Sequence, residues 1–236
     1  MIVAIIPARG GSKRIPRKNI KHFAGKPIIA YSIEAAKESK LFDRIIVSTD
    51  DPEIASVATS YGAEAPFLRP AELADDYANT GEVIKHAVSW LIEQGATLEY
   101  VCCIYATAPF VQANYLRKGY EKLIVSGKPI VFSVTTYPFP IQRAIRLTVD
   151  GSVEAIHPEY VLTRSQDLEE IYHDAGQFYW CTTSAILDDV MAFSSASLPV
   201  ILPRYLVQDI DTPEDWERAE FMFRAWRMMD PKASTE

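Results

Sequence analysis

The sequence predicts an α/β fold: one Rossmann-like domain whose mainly parallel sheet is flanked by helices. Three observations predict it. Short, continuous apolar runs recur along the chain, as strands buried on both faces require. Amphipathic stretches of helical period separate them, which gives the strand–helix alternation of right-handed parallel crossovers. A length of 236 residues with 48% hydrophobic content suits one domain, 1–236, with a sizeable core and a small insertion.

The elements follow in chain order. Residues 2–6, IVAII, form a buried strand that stops at Pro7 and a glycine pair. Residues 27–39 read as a helix: Pro27 suits its first turn, and Ile28, Ile29, Ile33 and Ala36 share one face. Residues 44–49 are a second strand, and the Asp50-Asp51-Pro52-Glu53 start pattern opens a helix that runs to about Ser60. Residues 80–93 form a helix, 100–105 a strand, 113–125 a helix and 129–135 a fourth strand. The pattern then changes. Tyr137-Pro138-Phe139-Pro140 is a stiff hinge, and Asp150-Gly151 between two β-rich stretches signals a hairpin, so 137–172 reads as an insertion. Residues 177–181 return to the sheet, 184–191 form a short helix, 200–203 an edge strand, and Thr212-Pro213 opens the last helix.

Composition narrows the function. The net charge of -7 disfavours nucleic acid and anionic membrane surfaces, although a local basic cluster still suits a small anion. No apolar run approaches the ~20 residues of a membrane helix, and residues 2–6 are too short for a secretory signal. The three cysteines, Cys102, Cys103 and Cys181, show no metal-ligand spacing and read as buried, reduced thiols. The cytoplasm is the expected location.

Two motifs carry chemistry. The first is PARGGSKRIPRKN, residues 7–19, directly after the first strand. Ligands of open parallel sheets bind beyond the carboxyl ends of the strands, and the glycine pair lets backbone N–H groups approach oxyanions. Arg9, Lys13, Arg14, Arg17 and Lys18 supply dense positive charge, as a triphosphate requires. The spacing is neither GxxxxGK[ST] nor GxGxxG. The second motif is Gln208-Asp209-Ile210-Asp211-Thr212, between a strand and a helix. In extended backbone, residues two apart face the same side, so Asp209 and Asp211 could share one Mg²⁺ through hard oxygen ligands. Alternatively, Asp211 caps the helix that Pro213 opens.

At these motifs the chain resembles the cytidylyltransferases that activate nonulosonic acids, the CMP–sialic acid synthetases and their relatives. The resemblance rests on IIPARGGSKRIPRKNIKHFAGKPIIAYSIEAA, FDRIIVSTDD, FLRPAELADD and DIDTPEDWERAE, in this order from Ile2 to about Glu220. YATAPF and YHDAGQFYW resemble the branch that activates pseudaminic acid, where sialic acid enzymes usually carry QPTSPLR and RPNGAIY-like stretches. The resemblance implies a nucleotidyltransferase that uses CTP and Mg²⁺, with a homodimer formed through the 137–172 hairpin. It implies that Arg9, Gly10, Gly11, Ser12, Lys13 and Asn19 hold the phosphates and that Lys18 neutralises the α-phosphate. It places Arg69 and Thr80 beside the nucleoside, and Asp209 and Asp211 on the metal. Tyr105, Thr107, His173, Asp174, Gln177 and Tyr179 are the acceptor candidates, and Arg143, Arg146 and Arg164 would reach the partner's site. Other readings of the residues stay open: Arg69 as a surface ion-pair partner, Thr80 as a helix N-cap, 137–172 as a simple lid. N-acetylneuraminic or legionaminic acid as acceptor and a non-enzymatic nucleotide-binding module are the competing functions.

Overall fold

The computed structural model describes residues 1–74 and 79–229. Its centre is a six-stranded sheet. The first strand, β1 (Ile2–Pro7), is followed by a two-residue ladder of β2 (His22–Phe23) and β3 (Lys26–Pro27) and by helix α1 (Ile28–Ser39). Then come β4 (Arg44–Ser48), α2 (Pro52–Ser60), α3 (Thr80–Glu93), β5 (Tyr100–Ile104), α4 (Ala113–Ser126) and β6 (Ile130–Thr136). An arm carries the hairpin β7 (Ile145–Leu147) and β8 (Val153–Ala155). The chain ends with β9 (Tyr172–Thr182), α5 (Thr183–Leu187), β10 (Ser197–Ile201) and α6 (Pro213–Met229).

The strand order is β10-β6-β9-β5-β1-β4, parallel except for β9, which runs antiparallel between β5 and β6. One core fills the face under α1, α2 and α4, with Ile6, Ile33, Ile54, Leu116 and Trp180. A second fills the face under α3, with Ile5, Ile46, Val88 and Leu91. Trp180 is fully buried, and its indole N–H donates to the Leu116 carbonyl at 3.0 Å. Gly119 allows this approach, because a Cβ there would lie 2.7 Å from the indole.

Most expected elements appear, with four adjustments, the first being that the edge strand expected at 200–203 lies at Ser197–Ile201, where it pairs with β6. The strand expected at 177–181 extends over Tyr172–Thr182. The helix expected at 184–191 stops at Leu187, where Asp188 ends it and Asp189 takes a positive φ of 52°. Pro27 closes β3 instead of entering α1. No helix among the described residues is long and apolar enough to cross a membrane.

A third cluster fixes the site. Phe23 packs edge-on against Trp216 and Phe223 with ring centroids 5.5 and 5.4 Å apart, and Tyr31 and Phe110 also meet Phe223. Aromatic packing of this geometry is directional. It locks the start of α6 against the segment that follows the first loop.

Candidate active site

The carboxyl ends of β1 and β5 open into a cleft of about 300 Å³. Its lining includes Arg9, Ser12, Lys13, Arg14, Lys18, Asn19, Arg69, Thr80, Tyr105, Thr107 and Asp211. Residues separated by up to two hundred positions in sequence therefore meet in one space. Gly10 and Gly11 lie in the same loop. Ser12 N–H turns back to the Gly10 carbonyl at 3.0 Å, and Asn19 Nδ2 donates to the Arg9 carbonyl at 2.8 Å, closing the loop on itself.

Not every expected donor of the loop points inward. Gly10 N–H donates to Asp50 Oδ1 at 2.9 Å, so its contribution to the cleft is close backbone approach rather than a free donor. The Arg17 side chain turns outward to Asp51 and Glu53. Lys18 points inward: its Nζ donates to the Ile210 carbonyl at 2.8 Å and lies 3.3 Å from Asp211 Oδ1. Arg14 reaches the other oxygen of Asp211 at 2.8 Å.

Asp211 is not the cap of α6. Thr212 Oγ1 accepts from Asp215 N–H at 3.2 Å, and Asp215 Oδ2 accepts from Thr212 N–H at 2.9 Å, so that pair caps the helix. The Asp211 carboxylate instead lines the cleft, with its two oxygens paired to Lys18 and Arg14. Asp209 is exposed and is not among the residues that line the cleft. Protein packed around its carboxyl group, and then the negative charge of Asp211, raise its pKa, while Lys18 and Arg14 oppose the shift. A mutually repelling carboxylate pair is the arrangement a hard divalent cation relieves. No group of three or more His, Cys, Asp or Glu forms a cage among the described residues. Asp209 and Asp211 are hard oxygen donors of the kind Mg²⁺ takes, since that ion is usually held by one or two carboxylates together with water and substrate phosphates.

Arg69 is buried, which removes the surface ion-pair reading. It donates to the Ser48 carbonyl, to Ser48 Oγ at 3.2 Å and to the Leu73 carbonyl at 3.3 Å. Burial lowers its pKa; Asp50 opposes that shift and Arg9 reinforces it. Asp75 and Asp76 of the same motif lie outside the described residues. Thr80 is not the cap of α3: Asn79 is, in a capping box with Glu82. Its hydroxyl is instead bonded to Tyr105, whose phenol burial pushes to a pKa of about 12.

A second cavity, about 730 Å³, adjoins the first through Thr80 and Tyr105. Tyr179, Cys103, Cys181, Ile130 and Met191 line it. Asp174 and Tyr179 meet beside it through a phenol-to-carboxylate hydrogen bond. Five residues apart in a regular strand, these two would face opposite ways about 17 Å apart. A bulge in β9 opposite Ser133, with Gly176 at φ 61°, brings them together. The Ser133 hydroxyl accepts the Phe178 N–H at 3.1 Å inside that bulge.

The remaining acceptor candidates sit elsewhere. His173 Nδ1 lies 2.8 Å from the Asp174 carbonyl and its ring stacks obliquely on Tyr137. Gln177 is buried, and its amide donates to the Leu206 carbonyl at 2.5 Å, which ties β9 to the loop that carries Asp209. Sequence reasoning missed Asp50 and the pairing of Asp51 with Arg17. It also missed that Cys103 and Cys181, free and largely buried as expected, form one wall of the second cavity.

A family model described as cytidylyltransferase matches residues 3–197. The chain is 47% identical over 222 residues to a pseudaminic acid cytidylyltransferase of Campylobacter jejuni, covering 94% of this chain and 96% of that one. It is 35% identical over 229 residues to the CMP-N,N'-diacetyllegionaminic acid synthase of Legionella pneumophila, covering 93% and 94%. Among solved structures, CMP:2-keto-3-deoxy-manno-octonic acid synthetase complexed with CTP shares the fold with a TM-score of 0.68 at 14% identity, over 95% of this chain and 99% of that one. With the family model matching residues 3–197 and these relatives aligned over nearly its whole length, the chain belongs to the cytidylyltransferase family.

Proposed function

We propose that the chain activates pseudaminic acid: CTP + pseudaminate → CMP-pseudaminate + diphosphate. The observation that carries the reading is the single cleft in which Arg9, Ser12, Lys13, Lys18 and Asn19 face Asp211. Dense positive charge suits a triphosphate, and the carboxylates suit the metal that accompanies one. The choice of acceptor follows the relatives, of which pseudaminic acid cytidylyltransferases align over nearly the whole chain at 46–47% identity.

In the proposed reaction the anomeric hydroxyl oxygen bonds to the α-phosphorus as the bond to the bridging oxygen breaks. Diphosphate leaves with that electron pair, and the hydroxyl gives up its proton. The protein's work is positioning and charge stabilisation. Arg9, Ser12, Lys13 and Asn19 hold the phosphates, with Gly10 and Gly11 allowing close approach. Lys18 faces the α-phosphate, and Arg69 and Thr80 flank the nucleoside. Asp209 and Asp211 hold Mg²⁺, which when bound polarises the α-phosphate and offsets leaving-group charge. Tyr105, Thr107, Asp174 and Tyr179 face the sugar acid, with His173 at their edge; Gln177 supports the site through Leu206.

The active unit is proposed to be a homodimer in the cytoplasm. Ile145, Leu147, Val153 and Leu162 expose 60, 75, 63 and 96% of their surface on the arm, more apolar area than a solitary hairpin retains without a partner. Arg143, Arg146 and Arg164 are each bonded within the arm, to the Thr163 carbonyl, Glu154 and Asp167. Docking would have to redirect them if they serve the neighbouring site.

Diphosphate release with each nucleoside triphosphate against a panel of nonulosonic acids tests the reading. Release with CTP and pseudaminate is expected. Release only with neuraminate or legionaminate would change the acceptor, and none with any nonulosonate would end the proposal.

A further inference from the structure

Asp51 has no place in the reading above, yet both ends of the phosphate loop meet it. The chain leaves β4 and turns so that Asp51 N–H donates to Thr49 Oγ1 at 3.1 Å. At the near end of the loop, Gly10 lies so close that a Cβ would stand 2.7 Å from Asp51 Oδ2. At the far end, the two terminal guanidinium nitrogens of Arg17 donate to the two Asp51 oxygens, Nη1 to Oδ2 and Nη2 to Oδ1, and Nη2 also reaches Glu53 at 2.5 Å. The Asp51 side chain is 16% exposed and the Arg17 side chain 39%, so solvent screens the charge in part and the forked hydrogen-bond geometry carries the orientation.

Arg17 takes φ 56° and ψ 30°, the left-handed region in which the Cβ of an L-residue crowds the following carbonyl oxygen. Such a residue persists where its surroundings over-determine it. It stands directly before Lys18 and Asn19, and the chain enters the 3-10 turn Lys18–Ile20 from it. That turn aims Lys18 Nζ at the Ile210 carbonyl and Asp211. We propose that Asp51 is a positioning residue for the nucleotide: by holding Arg17 in its left-handed conformation, it directs Lys18 to the α-phosphate and to the Asp209–Asp211 pair. The assignment rests on the reading of the cleft as a CTP site.

Asp51 has a second task, which the test must separate. Its Oδ1 accepts from Glu53 N–H at 2.9 Å and Ile54 N–H at 3.1 Å, capping α2. Asparagine caps a helix as well as aspartate does, so Asp51→Asn keeps the cap and weakens only the charged pair. The experiment measures CTP affinity by calorimetry, and kcat and both KM values, for wild type, Asp51→Asn, Arg17→Met and the double variant. Asp51→Asn is expected to weaken CTP binding about 10-fold and to lower kcat. The KM of the acceptor at saturating CTP should stay within about twofold, and the melting temperature should fall by no more than a few degrees. The double variant should be no worse than the poorer single one, because both substitutions remove one interaction. Equal CTP binding by Asp51→Asn and wild type, or losses that simply add, would overturn the role of Asp51 alone. A wild type that does not bind CTP would instead remove the nucleotide reading, and this proposal with it.

Discussion

The loop of residues 7–19 and the arm of residues 137–172 leave the same end of the sheet and treat their side chains in opposite ways. The loop's polar groups are bonded within the chain: Asn19 bonds Arg9, Lys18 bonds Ile210 and Asp211, Gly10 bonds Asp50 and Arg17 bonds Asp51. The arm turns its apolar groups outward, with Leu147, Val149 and Leu162 at least three-quarters exposed. A loop whose polar groups are bonded to distant elements has one shape, ready for a ligand that adds charge. An arm that exposes apolar residues has surface to bury and needs a second surface to do it. One region is bonded up within the chain; the other leaves apolar surface open.

That contrast can be broken at either side. The largest effect belongs to the cleft. Asp209→Ala should lower kcat by at least about 100-fold, the scale of losing a principal charge-stabilising group, while the melting temperature stays within a few degrees. Near-normal turnover in a folded Asp209→Ala protein would remove that residue from the metal site. Gly10→Ala should follow. The clash of its Cβ with Asp51 forces the loop or the Asp51 side chain to shift, and a strain of about 1–3 kcal/mol taken from binding weakens CTP affinity roughly 5- to 150-fold. Calorimetric titration with CTP checks it.

At the arm, Leu147→Asp combined with Leu162→Asp should convert the dimer to monomer in sedimentation. The unfolding free energy of the monomer should change by less than about 0.5 kcal/mol per site, since neither side chain is buried within the chain. A dimer that survives both changes places the interface elsewhere. The smallest effect is a pH dependence. The Arg17 hydrogen bond holds the Asp51 pKa below its usual value, with the α2 backbone N–H groups adding to the shift. A depressed carboxylate contributes stability above its unfolded pKa of about 3.9 and loses it as pH falls through the folded value. Urea midpoints of wild type and Asp51→Asn should therefore differ near neutrality and converge below about pH 3.9.

Much of this was legible in the sequence, and the division has a physical cause. β1, β4, β5 and β6 are short continuous apolar runs, and α1, α3 and α4 repeat at helical spacing, so local pattern reveals them. The glycine loop and the two aspartates are local motifs as well. What escaped depends on partners distant in sequence. The full length of β9 comes from pairing with β5 and β6 on both sides, and its bulge from Ser133. Arg69 is buried because Ser48, 21 residues away, receives it. Gln177 is committed to Leu206, 29 residues on, and Arg17 to Asp51, 34 residues on. No periodicity announces such pairs. The identity of each residue was plain; the direction of its side chain was not.

The claim common to the loop, the aspartates and the acceptor residues is attack at the α-phosphorus of CTP. CTP carrying a radioactive α-phosphate, incubated with pseudaminate, Mg²⁺ and the enzyme, tests it in one step. The account predicts that the label moves into CMP-pseudaminate while the released diphosphate stays unlabelled. Label in the diphosphate, or a sugar product without label, would contradict it.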